Sequence, residues 1–316
     1  MKSFLAAMLL LNLGGCSAPG PAPSSPTPRL LHVPQQPAKD AQAQASVKDD
    51  QVQIVWSDLK APVKIYRSTT PLTPTNLNQE RVPVGYLGEA QSSPFLDKRL
   101  GRDVDYHYLL VSGQDYLTVG PIRLDNIPLQ VAQNPRLEID KASHALSVYD
   151  STRVLKRYPM VMGRLSQRRK LCYDNASTPE GRYQIIHLQP DATFYRAYDI
   201  DYPNAVDQAR YALLKPSADI GGEIQIHGRG IHTNWTFGCV ALRDSDMDEL
   251  FAHSELGTGC PVWIYGSEIT RADLESDALG SRWDPKSLGK KQKALGLPVT
   301  CLMDVATRQA LKPENP

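Results

Sequence analysis

The sequence lacks a charge excess of either sign. Its 35 Lys and Arg stand against 34 Asp and Glu, a formal net charge of +1. Proteins that hold nucleic acid rely on a surplus of cations, so this balance argues against nucleic acid as the main partner. Beyond the N-terminus there is no apolar run long enough to cross a bilayer, so no internal membrane span is expected. Cysteine is scarce, five in 316 residues. None forms a Cys-x-x-Cys pair or joins a His/Glu cluster, so no metal and no cofactor is expected. Cys172, Cys260 and Cys301 read by default as structural thiols, and their spacing chooses no disulfide.

The length leaves room for two or three domains, each with its own core. The N-terminus begins with a cation at Lys2 and a short apolar stretch from Phe4 to Leu13, and Leu13-Gly14-Gly15-Cys16 then reads as a cleavage site. These small residues before Cys16 resemble a bacterial lipobox. The resemblance implies a signal peptide over residues 1–15 and a mature chain lipidated at Cys16. Ser17 rather than Asp then implies the periplasmic face of the outer membrane in a Gram-negative envelope. Residues 16–48 are rich in Pro, Ala, Ser and Gln and read as a disordered tether, because such a segment buries too little apolar area to offset its ordering entropy.

Residues 49–127 read as all-β. Val52-Gln53-Ile54-Val55-Trp56 and Val63-Lys64-Ile65-Tyr66 alternate, and Tyr106 to Val111 is a further strand. A Trp on an early strand, a Tyr pair on a late one and Ile65-Tyr66-Arg67-Ser68 resemble a fibronectin type III β-sandwich, with Trp56 in its core. From Arg136 the pattern is β again, through Leu137-Glu138-Ile139, Ala145 to Tyr149 and Tyr158 to Met162. The run Arg164 to Lys170 is strongly basic. It reads as a solvated loop or as a lure for acidic peptide carboxylates.

Glu223 to Leu250 carries the chemistry. Ile224 and Ile226 alternate with polar neighbours as a strand that ends at His227-Gly228, and Cys239 follows a glycine at the head of Val240, Ala241 and Leu242. Asp244, Asp246 and Asp248 then crowd the start of a helix. A thiol with a reference pKa of about 8.5 is only a few per cent ionised at neutral pH, so a nucleophilic cysteine needs a base. His227 is the candidate, with His232 as its rival. Gly238 lets backbone approach a substrate, and the amides of 237, 238 and 239 are candidates for an oxyanion hole, one such donor being worth about 3 kcal/mol of barrier.

Ile226-His227-Gly228 together with Asn234-Trp235-Thr236-Phe237-Gly238-Cys239-Val240-Ala241 resembles the signature of the L,D-transpeptidase catalytic (YkuD) family. Thr178-Pro179-Glu180-Gly181 and Asp201-Tyr202-Pro203-Asn204 extend the likeness, which spans residues 134–267. Phe237 stands where many members have a second His, and Ala241 where many have Arg or Asn. The resemblance implies a mainly β fold, with a fibronectin-like sandwich followed by a β-rich catalytic domain. It implies Cys239 as nucleophile, His227 as base and the Gly228 carbonyl as the group that orients the imidazole. Phe237, Gly238, Thr236 and Arg243 would line the substrate site. The implied substrates are peptidoglycan stem peptides, with a diaminopimelate amine, a protein amine or water as acceptor. Water would make the enzyme a carboxypeptidase or hydrolase, and a binding scaffold without activity is the other class. Residues 285–312 resemble half of a helical peptidoglycan-binding module in which Cys301 replaces a glycine. So short a piece is expected to dock on the catalytic domain.

Overall fold

The computed structural model describes residues 34, 36–48, 51–79, 81–131, 133–165, 168–173, 176–279 and 283–311. The expected signal peptide and Cys16 lie outside the described residues. The fold is mainly β.

The N-terminal unit is built from β1 (Gln36–Pro37), β2 (Ala43–Lys48), β3 (Gln51–Trp56), β4 (Val63–Ser68), β5 (Val84–Ala90), β6 (Phe95–Asp97), β7 (Asp105–Ser112) and β8 (Asp115–Arg123). These strands form one sheet of order β1-β8-β7-β4-β5 and a second of order β2-β3-β6. Alternation along β3 buries Val52, Ile54 and Trp56, which meet Ile65, Tyr108 and Leu110 of the other sheet in one core. The strand β7 is buried on both faces from Tyr108 to Val111. Its outer residues Leu109 and Val111 are roofed by Leu72 and Leu77 of the β4–β5 connection, which explains an apolar run without alternation.

The tether expected over 16–48 is shorter than its composition suggests. Ala43–Lys48 pairs antiparallel with β3, and Ala43 and Ala45 pack on the core. Small side chains alternating inward were hidden within a Pro- and Gln-rich average.

The second unit is one sheet of order β11-β10-β9-β16-β12-β13-β14-β15. Its strands are β9 (Pro135–Asp140), β10 (Ala145–Asp150), β11 (Arg153–Pro159), β12 (Gly181–Ala192), β13 (Tyr195–Ile200), β14 (Gln225–His227), β15 (Val240–Ala241) and β16 (Pro261–Tyr265), with helices α1 (Ala205–Leu214) and α2 (Asp244–Phe251) between them. Asn204 caps α1 and shares a capping box with Asp207, so the Tyr-Pro-Asn motif marks a helix start. Leu137, Ile139, Leu146, Ile185, Tyr198, Ile226, Val240 and Leu250 lie in the shared core.

The C-terminal helices α3 (Arg271–Leu279), α4 (Pro285–Ala294) and α5 (Val305–Ala310) dock on this unit, as their small size requires. Gln292 is fully buried, donating to Thr300, Leu302, Asp304 and Thr307 and accepting from the amides of Thr300 and Cys301. Cys301 has φ 58°, a left-handed backbone that explains a glycine preference there.

The two units are tied together. Arg67, 2% exposed, pairs with Asp97 at 2.7 Å and donates to the Ser143 carbonyl across the boundary at 2.7 Å. The Tyr86 amide donates to the Ala142 carbonyl at 3.0 Å. Removing one partner of a buried pair strands the other charge. Arg67→Ala is therefore expected to cost about 3–5 kcal/mol, read as a fall in unfolding free energy by denaturant titration. A cost under about 1 kcal/mol, typical of an exposed pair, would contradict this account.

Candidate active site

The sequence places Cys239 at a strand entry and His227 at a strand end, and the sheet makes these two strands neighbours. Parallel pairing sets Val240 opposite Ile226 and Ala241 opposite His227. Val240 and Ile226 belong to the core. Successive side chains alternate faces, so Cys239 and His227 both point to the opposite face, as diagonal neighbours on adjacent strands. Such diagonals lie roughly 7–8 Å apart.

The imidazole is fixed from several sides. His227 Nδ1 lies 2.8 Å from the Gly228 carbonyl oxygen. A carbonyl only accepts, so Nδ1 carries the hydrogen and Nε2 keeps its lone pair free to act as a base. Phe194 and Trp235 pack on the ring at centroid distances of 5.0 and 5.3 Å. Gly228 is required by packing, since a Cβ there would stand 2.5 Å from Asp244 Oδ1 and 2.9 Å from Tyr195 Cβ. Burial lowers the His227 pKa below its ordinary value against the pull of the Gly228 carbonyl, so the ring is neutral at pH 7.

The sulfur rests as a thiol. Cys239 Sγ donates to the Glu223 carbonyl at 3.5 Å. Burial pushes its pKa above 9.0, while the Gln225 amide and the Lys170 ammonium pull the other way. Thiol and imidazole are thus both neutral at rest, each held by a backbone carbonyl.

The turn before Cys239 is braced from within. Thr236 Oγ1 donates to the Cys239 carbonyl at 2.6 Å and accepts from the Gly238 amide at 3.3 Å. This corrects the expected oxyanion hole: the 238 amide is already spent on Thr236. Among the described residues, the amides of Phe237 and Cys239 have no acceptor and are the donors left for an oxyanion. Gly238 has φ 139°, and a Cβ on it would sit 2.8 Å from the Ser177 carbonyl oxygen.

The Thr178–Gly181 turn stands behind. Gly163 N donates to Thr178 Oγ1 at 3.1 Å. The fully buried Glu180 carboxylate accepts from Lys141 Nζ at 2.7 Å and from the Ser267, Glu268 and Ile269 amides. Burial alone would raise its pKa, but these donors bring it below the ordinary value.

Two expectations change. Arg243 does not face the cleft: it is bonded to Asp246 at 2.6 Å and to the Arg102 and Asp103 carbonyls of the N-terminal unit. Its place at the head of α2 turns it toward that unit. The basic run is solvated only in part: Leu165 and Arg168 are exposed, but Arg169 and Lys170 are 2% and 3% exposed. Arg169 meets Asp207 at 3.7 Å and the Thr300 carbonyl, charges far away in sequence. The rival base His232 is exposed and lines a cavity of about 220 Å³ with Arg229, Thr233 and Trp235. Phe237, two residues before Cys239, is 68% exposed. Cys260 and Cys301 are buried free thiols, whereas Cys172, expected to be one as well, is disulfide-bonded.

Asn234 was quoted in the sequence only as part of the motif. Its amide donates to the Arg81 carbonyl at 2.8 Å, and its Oδ1 accepts from Met162 N at 3.3 Å. Val104 joins Val161, Ile231, Ala241 and Trp235 in a small cluster. The N-terminal unit thus grips the segment that carries Trp235 and Thr236.

Residues 134–264 match the family described as the L,D-transpeptidase catalytic domain, YkuD. Over 105 residues the chain is 31% identical to "Putative L,D-transpeptidase YafK" of Escherichia coli K12, a match spanning 31% of this chain and 38% of that protein. The match thus spans well under half the length of that relative. Among solved structures, the chain is similar to the L,D-transpeptidase (residues 123–326) of Xylanimonas cellulosilytica, at 16% identity over 44% of this chain and 65% of that one, TM-score 0.30. It is also similar to the catalytic domain of the E. faecium L,D-transpeptidase, at 16% identity over 43% of this chain and 100% of that one, TM-score 0.30.

Two outcomes are expected of this geometry. Labelling of Cys239 by iodoacetamide, followed by peptide mass, rises with pH and reaches its plateau at higher pH than an unburied thiol, since burial raises the thiol pKa above its ordinary value. A plateau already reached at pH 7 would mean a resting thiolate. Gly238→Ala is expected to lower the unfolding free energy by about 1–3 kcal/mol through backbone strain and to slow that labelling.

Proposed function

We propose that this chain, whose residues 134–264 match the L,D-transpeptidase catalytic domain (YkuD) family, is a cysteine acyltransferase acting on peptidoglycan stem peptides. The observation that carries this reading is the placement of Cys239 and His227 on one sheet face, with Nδ1 committed to the Gly228 carbonyl.

The chemistry follows from the residues. As substrate enters, the thiol turns from the Glu223 carbonyl and gives its proton to His227 Nε2. The thiolate attacks the carbonyl carbon of the L-centre of diaminopimelate in a donor tetrapeptide. The amides of Phe237 and Cys239 meet the oxyanion that forms. The tetrahedral adduct collapses, the carbon–nitrogen bond to the terminal D-alanine breaks, and the imidazolium protonates the departing amine. A thioester on Cys239 remains. An acceptor amine then attacks it, losing a proton to His227, and the sulfur leaves as a thiolate that is reprotonated. The amine of another diaminopimelate gives a 3-3 cross-link, and an amine of a protein tethers that protein to the wall. By the same family resemblance no metal or cofactor is implied. We further propose that lipidation at Cys16 holds the enzyme on the periplasmic face of the outer membrane.

Incubation with purified muropeptides, with products identified by mass, tests the reading. Dimers or amine adducts are expected from the wild-type protein, and none from Cys239→Ala. A folded wild-type protein that is neither acylated by a carbapenem nor able to turn over any muropeptide would leave only the scaffold. His227→Ala is expected to lower turnover by roughly 10²- to 10⁴-fold. Activity that survives it but vanishes in His232→Ala would reassign the base.

A further inference from the structure

Among the described residues, one cation fastened to the turn before Cys239 has no anion of its own. Arg164 follows the Gly163–Thr236 bridge, and its amide donates to the Thr236 carbonyl at 3.1 Å, so its backbone is fastened to the catalytic turn. Its guanidinium lies over the ring of Phe237, 4.0 Å from the centroid. Phe237 is itself 68% exposed and stands two residues before Cys239. Among the described residues, no carboxylate or carbonyl pairs with this guanidinium, and its Nε is buried without a partner.

Other arginines of this unit have anions: Arg243 meets Asp246, Arg210 meets Glu268, and Arg169, whose own Nε and Nη2 are also buried without a hydrogen bond, lies 3.7 Å from Asp207. Stacking on a ring occupies the face of a guanidinium and leaves its edge of N–H donors open, the geometry that takes a carboxylate through two parallel bonds. A buried donor without a partner is rare and calls for an explanation, such as a group that is not always present. Lys170 adds charge of the same sign: its Nζ would lie 3.6 Å from a Cβ on Gly238.

We propose that Arg164, seated on Phe237, is a specificity-determining residue that holds the free C-terminal carboxylate of the residue expelled from the donor peptide. The proposal rests on the acyl-transfer reading above and names what that site selects: a peptide whose scissile bond is its last. The bond broken joins the attacked carbonyl carbon to the nitrogen of the terminal residue. The carboxylate is unchanged throughout and departs with that nitrogen. Arg164 therefore acts on donor binding and acylation, and has no part in the second half-reaction.

The full chain is tested with two donors that differ only at the end, a tetrapeptide stem with a C-terminal carboxylate and the same stem as its carboxamide. The wild-type protein is expected to favour the carboxylate by about tenfold or more in kcat/KM. Arg164→Ala is expected to abolish that preference, losing rate on the carboxylate while changing little on the amide. Arg164→Lys is expected to restore part of it. Equal losses on both donors, or a wild-type protein indifferent to the ending, would overturn the proposal. A second arm separates this from the acyl-transfer reading. Cys239 is alkylated with N-bromoacetyl-D-alanine and with its amide, and the labelled peptide is quantified by mass. A preference for the acid that disappears in Arg164→Ala supports the carboxylate seat even where no muropeptide turns over, in which case the acyl-transfer reading alone has failed. Labelling ratios that are the same in wild type and variant overturn the seat.

Discussion

The parallel pairing of two very short strands is the constraint on which the rest depends. β14 and β15 meet over only two residue pairs, Ile226 with Val240 and His227 with Ala241. A slip of one residue would send either the sulfur or the imidazole into the core, because faces alternate along a strand. So short a ladder cannot hold its own register. The surroundings hold it: Ile226 and Val240 are locked into the core, the Val161–Ala241 bridge pairs the far side of β15, and the Leu242 amide donates to the His227 carbonyl at 2.8 Å.

Buried polar groups brace the segments around that ladder. Glu180, Lys141 and Thr178 make a dry knot behind the turn, and the Gln292 network seals the helical tail. Networks of this kind are stable only when every member is satisfied, and they then specify one arrangement. The same economy explains the resting chemistry. Burial disfavours both charged forms, so thiol and imidazole are each neutral at rest.

Much of this was legible in the sequence. Strong period-two runs such as Gln51–Trp56 became strands, and the glycines flanking His227 and Cys239 marked close backbone approach. What stayed hidden depends on partners distant in the chain. Ala43–Lys48 gains its strand from β3, and composition alone cannot see a pairing. Arg169 and Lys170 read as a solvated run because their surroundings, Asp207 and Thr300 for the one and the Gly238 turn for the other, are supplied by remote segments. Arg243 looked outward to the cleft because nothing local places Arg102 and Asp103 beside it. The commitment of the Gly238 amide to Thr236 is local, yet it turns on a side-chain rotamer that sequence does not fix.

The grip of the N-terminal unit on Asn234 changes what counts as the working part. The linker between the units invites a cut, and a cut there would bare the flank of Val161, Ile231 and Ala241 that Val104 now shelters. It would also orphan the Asn234 donor that the Arg81 carbonyl now receives. A piece excised at that point would carry every residue of the chemistry and lack the jig that aligns them. Transplanting the chemistry to another scaffold would accordingly require moving the whole folded pair.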